Sequence, residues 1–160
     1  MTSIFLEKMN TCEDEKFIED FISLPKKVRE EKYFQGIASE IQARRLMIWG
    51  HQNQGAFWLI KTEAKETIMR LGARLSTQQT GLGTIGFFEI DLKHPQAKEA
   101  LTLGISEAVE WLRKLGAHSV VAPVDLSTWF SYRFSIMSKN FFPRYSWEPT
   151  TPPEYLSLFK

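Results

Sequence analysis

Two apolar runs flank a long amphipathic segment in the second half of the chain, and together they constrain the fold most. Gly86-Phe87-Phe88-Glu89-Ile90-Asp91 reads as a strand. From Pro95, the residues Ala97, Leu101, Ile105, Ala108, Leu112 and Leu115 recur at three- and four-residue spacing, the period of a helix with one buried face. Arg113 and Lys114 fall in its last turn and Gly116 follows as a C′ residue. Ser119 to Ala122 is a second apolar strand, closed by Pro123. Strand, crossover helix and strand make a βαβ unit, which requires a parallel strand pair.

The residues before this unit read differently. Ile4-Phe5-Leu6 is either an edge strand or the lead into a first helix. That helix is expected over Cys12–Ser23, capped by Thr11, with Glu13 and Asp14 at the positive end of its dipole and Pro25 marking its end. Tyr33 to Leu46 is a weaker helical segment, and Gly50 to Gly55 reads as a polar turn. Ala56–Lys61, Glu66–Leu75 and Thr84–Ile90 are strands separated by short polar links, the pattern of an antiparallel meander. The expected fold class is therefore α/β: a mixed, mostly antiparallel sheet carrying a βαβ crossover, with an amphipathic helix packed across it.

Composition narrows the functional classes. At 160 residues the chain has the size of one domain with a real core. Twenty basic against 19 acidic residues leave a net charge of +1 and no basic stripe, which argues against nucleic acid as a partner. Lys26, Lys27 and Arg29 form the densest basic cluster, read as a solvated surface because Glu30 and Glu31 follow at once. The single cysteine, Cys12, excludes an intrachain disulfide. The three histidines, His51, His94 and His118, are too scattered for a metal site, so no metal is expected. With no signal-peptide pattern and no apolar run long enough to span a bilayer, the expectation is a cytoplasmic protein with no membrane partner. The aromatic-rich stretch Trp129–Trp147 would suit an interface or a small-molecule pocket.

In order and spacing, Phe57-Trp58-Leu59-Ile60, Gly86-Phe87-Phe88-Glu89, Trp111-Leu112-Arg113, Pro123-Val124-Asp125-Leu126-Ser127-Thr128 and the tail from Trp147 to Tyr155 resemble the GNAT acyltransferase superfamily. The resemblance runs from about Phe57 to Phe159. It implies a GNAT-like fold, acetyl-CoA or another acyl-CoA as co-substrate, and a small-molecule or peptide amine as acceptor. It also places Glu89 on the strand from which several such enzymes take a general base.

Gln78-Gln79-Thr80-Gly81-Leu82-Gly83 spells the superfamily's pyrophosphate motif, Q/R-x-x-G-x-G, but stands before the strand rather than between strand and helix, and is read as a tight hairpin. The segment in the motif's proper place, Leu92 to Ala97, has no glycine; there Lys93, His94 and the helix N-terminus are the candidates for an anion. Asp125 and Ser127 follow the last strand, where parallel sheets place ligands, and complete the candidate cofactor-binding set.

The resemblance implies two further strands beyond Lys160. The 160 residues are thus expected to be a single GNAT-like domain, incomplete at its C-terminus: a piece of a longer protein, a shortened relative, or a chain completed by a second copy. Two functions follow, an acyl-CoA-dependent N-acyltransferase and a non-catalytic GNAT-like domain acting through binding or homodimerisation.

Overall fold

The structure is a computed structural model that describes residues 3–30, 37–127 and 151–158. The elements are β1 (Ile4–Lys8), α1 (Glu15–Val28), α2 (Ile37–Gln52), β2 (Gly55–Thr62), β3 (Thr67–Leu75), β4 (Leu82–Ile90), α3 (Ala97–Lys114), β5 (Ser119–Val121) and α4 (Tyr155–Leu158). They form one five-stranded sheet in the order β1-β2-β3-β4-β5. The first three pairings are antiparallel and β4 with β5 is parallel, as the βαβ pattern requires. Ile4-Phe5-Leu6 is the edge strand, pairing with Ile60 to Thr62.

Helix α3 lies on one face of the sheet. Ala97, Ala100, Ala108 and Leu112 meet Trp58, Ile60, Leu71, Ile85, Phe88 and Ile90 there. Small residues on α3 bring it close: a Cβ on Gly104 would stand 3.0 Å from Ile60 Cδ1. Helices α1 and α2 cover the other face, where Phe17, Ile18, Phe21 and Met47 pack on Phe57, Leu59 and Phe87.

Both N-terminal helices depart from the sequence reading. Helix α1 starts later, with Asp14 rather than Thr11 at the N-cap; its carboxylate accepts the Phe17 N–H at 3.1 Å. It also runs through Pro25 to Val28 instead of ending there. Proline at that position removes the N–H that would bond the Phe21 carbonyl one turn back. That carbonyl takes a different donor, Arg70 Nη1 on β3, at 2.7 Å. A side chain thus makes up the bond that proline deletes. Helix α2 includes Gly50 and His51, read from sequence as part of a turn. Gly50 faces the sheet, and a Cβ there would stand 2.7 Å from Leu126 Cδ1 and 2.9 Å from Phe57 Cζ. Residues 33–36 of the expected second helix lie outside the described residues.

The Gly81 motif is a hairpin link between β3 and β4, with Gly81 at φ 75° and Ser76 N–H donating to the Leu82 carbonyl. Gly116 takes the left-handed conformation after α3, with φ 93°. Among the described residues no helix is long and apolar enough to cross a membrane.

Candidate active site

The site grows from an irregularity in β4. Arg70 pairs with Glu89 and Gly72 with Gly86, so Leu71 alone on β3 opposes both Phe87 and Phe88. This is a β-bulge, and Phe87 absorbs it at φ 51°. Strict alternation would place Ile85, Phe87 and Glu89 together on one face. The extra residue separates them. Ile85, Phe88 and Ile90 pack toward α3, while Phe87 joins the aromatic cluster under α1 and Glu89 shares its face with Arg70.

Glu89 is fully buried and engaged on both carboxylate oxygens. Arg29, the residue that caps α1, donates Nε to Oε1 at 3.0 Å and to Oε2 at 2.9 Å, and Nη2 to Oε2 at 2.6 Å. The Tyr155 hydroxyl donates to Oε1 at 2.6 Å. Arg29, read from sequence as part of a solvated basic cluster, is instead a buried partner with only 14% of its side chain exposed. The extended backbone at the helix end turns it inward, φ −84° and ψ 143°. Burial disfavours its charge, and the Glu89 carboxylate more than offsets this, so its pKa is raised.

Arg70 is the second buried cation. Its guanidinium stacks 4.9 Å from the Phe21 ring centroid, and its Nε has no hydrogen-bond partner among the described residues. Burial pushes its pKa down to about 10; Glu89 works against that shift and Arg29 adds to it. Asp125 faces the same group of charges. Its Oδ1 accepts the Phe87 N–H at 2.5 Å. Burial pushes this carboxyl up to about 6, opposed by that N–H, by Arg70 and by Arg29. Tyr155 is driven upward as well, by burial first and then by the adjacent Glu89 carboxylate.

Tyr155 and the residues after β5 also settle where the outer edge of β4 goes. β4 and β5 pair only over Leu82–Thr84 and Ser119–Val121. Beyond that, Val124 N–H donates to the Ile85 carbonyl at 2.8 Å, Asp125 takes the Phe87 N–H, and the Tyr155 hydroxyl accepts the Ile90 N–H at 3.1 Å. The chain beside β4 lies so close that a Cβ on Gly86 would stand 2.2 Å from the Val124 oxygen.

Of the residues singled out from sequence, the fold brings the buried Glu89 and the half-buried Asp125 to one cluster. Ser127 lies beside it in a turn, its N–H donating to the Asp125 carbonyl at 2.7 Å. Lys93 and His94 are apart from the cluster, on the loop leading into α3. The Lys93 N–H donates to Asp91 Oδ1 at 3.0 Å, and His94 Nδ1 accepts the Gln96 N–H at 3.2 Å. Arg29, Arg70 and Tyr155 were not picked out from sequence as site residues. The one available signal was Arg70 itself, a charge inside the apolar run Ile68-Met69-Arg70-Leu71, which alternation assigns to a solvated face. The aromatic stretch Trp129–Trp147 lies outside the described residues. Among those described, no three His, Cys, Asp or Glu side chains gather as a metal ion would need.

Solved structures share this architecture. An aminoglycoside acetyltransferase from an uncultured soil metagenomic sample, solved with sisomicin, matches with a TM-score of 0.55 at 17% identity, over 76% of this chain and 77% of that one. A predicted acetyltransferase from Clostridium acetobutylicum, solved with acetyl-CoA, matches at 0.54 and 15% identity, over 74% and 79%. The aminoglycoside N-acetyltransferase AAC(6')-Iy, solved with CoA, matches at 0.53 and 11% identity, over 78% of each chain. The chain has the GNAT acyltransferase fold. No protein-family model and no curated protein sequence matches it.

Proposed function

We propose that the protein is an acyl-CoA-dependent N-acyltransferase acting on a small-molecule or peptide amine. The observation that carries this reading is the bulged half of β4, where the regular parallel pairing ends and a cluster of ionisable groups gathers against the strand. Ligands of parallel sheets settle at the carboxyl ends of the strands, and this cluster lies there. The nearby loop suits an anionic cofactor. Lys93 is exposed and His94 half-buried beside the N-terminus of the 18-residue helix α3, whose dipole favours an anion. Ser127 would flank the arm of the bound molecule, and Asp125 stands on the edge of β4 that the arm approaches.

When bound, an acyl-CoA supplies an acyl group activated as a thioester. The chain's own part is to orient the amine and move its proton. Glu89 is the proposed base, and Tyr155 is its only hydroxyl contact among the described residues. Glu89 has no exposed surface and Tyr155 almost none, so the amine must gain access to the Tyr155 hydroxyl, whose oxygen then takes one proton as its own passes to Oε1. Arg29 fixes the carboxylate in the orientation that meets this hydroxyl.

Thermal unfolding with saturating acetyl-CoA is the direct test. A ligand at 100 times its Kd stabilises the native state by about 2.7 kcal/mol. A clear rise in Tm supports the reading, and an unchanged Tm at millimolar acetyl-CoA defeats it. Glu89→Gln should then lower kcat by about a hundredfold or more while leaving acetyl-CoA affinity intact.

A second reading, a GNAT-like domain that works by association, draws on β5. All three of its residues are exposed, Val120 at 39% and Val121 at 47%, at the end of the sheet. Light scattering distinguishes a homodimer from a monomer.

A further inference from the structure

Among the described residues, the outer edge of β4 beyond Thr84 is held by single atoms of Val124, Asp125 and Tyr155. Val124 N–H holds the Ile85 carbonyl, the Asp125 carboxylate holds the Phe87 N–H, and the Tyr155 hydroxyl holds Ile90. An extended molecule with amide groups pairs with such an edge by adding to the sheet. Here the chain already occupies those positions. We propose that the segment Val124–Leu126 is an internal strap, in which Asp125 Oδ1 occupies the place of a ligand carbonyl on the Phe87 N–H and must leave before the arm of an acyl-CoA can pair with β4.

Three features support a strap that can release. Its seat is exact in shape, since only glycine at position 86 admits the Val124 carbonyl. Its lower end is anchored by Leu126 in the aromatic cluster under α1, at φ 65°, a left-handed conformation unfavourable for leucine. Its hold on Phe87 is a carboxylate that burial disfavours as an anion, so the contact is weaker than its short length suggests. Among the described residues the charged groups acting on that carboxylate are Arg70 on β3, Arg29 at the end of α1 and Glu89 on β4.

This inference rests on the acyl-CoA reading, and the two fail separately. Acetyl-CoA affinity is measured by calorimetry for the wild type, Asp125→Ala and Asp125→Asn. A strap reduces apparent affinity by the fraction of molecules it closes. Asp125→Ala should therefore bind about tenfold more tightly, on the order expected for a closed state holding nine-tenths of the molecules. Asp125→Asn keeps an oxygen acceptor for Phe87 with no charge to bury, and should bind no more tightly than the wild type. Equal affinities overturn the strap and leave the acyltransferase reading standing. Weaker binding by Asp125→Ala also overturns it, because Asp125 is then a contact of the ligand. No binding by any of the three overturns both. If Asp125→Ala does not fold, the wild type still decides: the Asp125 carboxyl, followed by carbon NMR, should titrate closer to an ordinary aspartate once acetyl-CoA saturates the protein. An unchanged midpoint overturns the strap.

Discussion

On the α3 side of the sheet, Trp58, Leu71, Phe88 and Ile90 meet Ala100, Ala108 and Leu112 in an apolar layer. On the α1–α2 side, an equally buried aromatic cluster is interrupted by charge. Lys61 reaches Asp20, Arg70 reaches the Phe21 carbonyl, Arg74 stacks on Trp49, and Glu89 holds Arg29. The first face gains stability from removing apolar surface from water and asks nothing of geometry beyond fit. The second must satisfy each charge it buries, so its stability depends on partners from five separate elements, α1, α2, β2, β3 and β4. That dependence is a cost the α3 face does not carry, and Glu89, the proposed base, lies on the face that bears it.

The sharpest way to break the comparison is Glu89→Ala. It strands Arg29 and Arg70 without their shared carboxylate and should cost about 3–5 kcal/mol, read by denaturant unfolding. Replacing Arg29 and Glu89 together with methionine and leucine should recover most of that loss; if the double variant is as unstable as the single one, the pairing is not what Glu89 contributes. Leu112→Ala is the counterpart on the α3 face. Leu112 is fully buried, and the change should cost about 2–4 kcal/mol at every pH from 4 to 8, with no remedy from a second charge substitution.

Gly86→Ala forces the Val124 carbonyl off β4 and should destabilise by about 1–3 kcal/mol, with faster exchange of the Phe87 amide. A smaller effect follows pH. The folded Asp125 carboxyl binds its proton more tightly than the unfolded one, whose ordinary value is 3.8. Its contribution is therefore most favourable below pH 4 and declines as pH rises through about 6, by about 1–2 kcal/mol for a residue only partly screened from water. Asp125→Asn should flatten the stability profile over that window and exceed the wild type at pH 7. Smallest of all, Arg113→Ala removes an exposed pair with Glu110 and should change stability by less than about 0.5 kcal/mol.

The parts of this fold that sequence reveals are those whose pattern is local. Helix α3 and strand β4 declare themselves through periodicity, and Gly116 through its place after the last turn. Pro25 and Gly50 mislead for the same reason: each breaks a local rule that a distant residue repairs, Arg70 for the first and the gap beside Phe57 and Leu126 for the second. Glu89 became a candidate through the family resemblance, and Asp125 because it follows the last strand. Arg29 was not, since nothing near Lys26 and Lys27 shows that one of three neighbouring cations turns inward to a carboxylate sixty positions later. The bulge at Phe87 was equally hidden, because an extra residue in a strand leaves no mark until the opposing strand is known.

Pro25 has a consequence for how this chain can change. The carbonyl it releases is the landing point of a guanidinium carried by another strand, so the helix and the strand hold a common heredity. A lineage that restores an amide at position 25 supplies Phe21 with a local donor, and Arg70 must then share its anchor. A lineage that loses Arg70 first leaves a carbonyl in the aromatic cluster with no donor at all. The two positions, 45 residues apart, are therefore expected to drift in a preferred order: proline yields before arginine does.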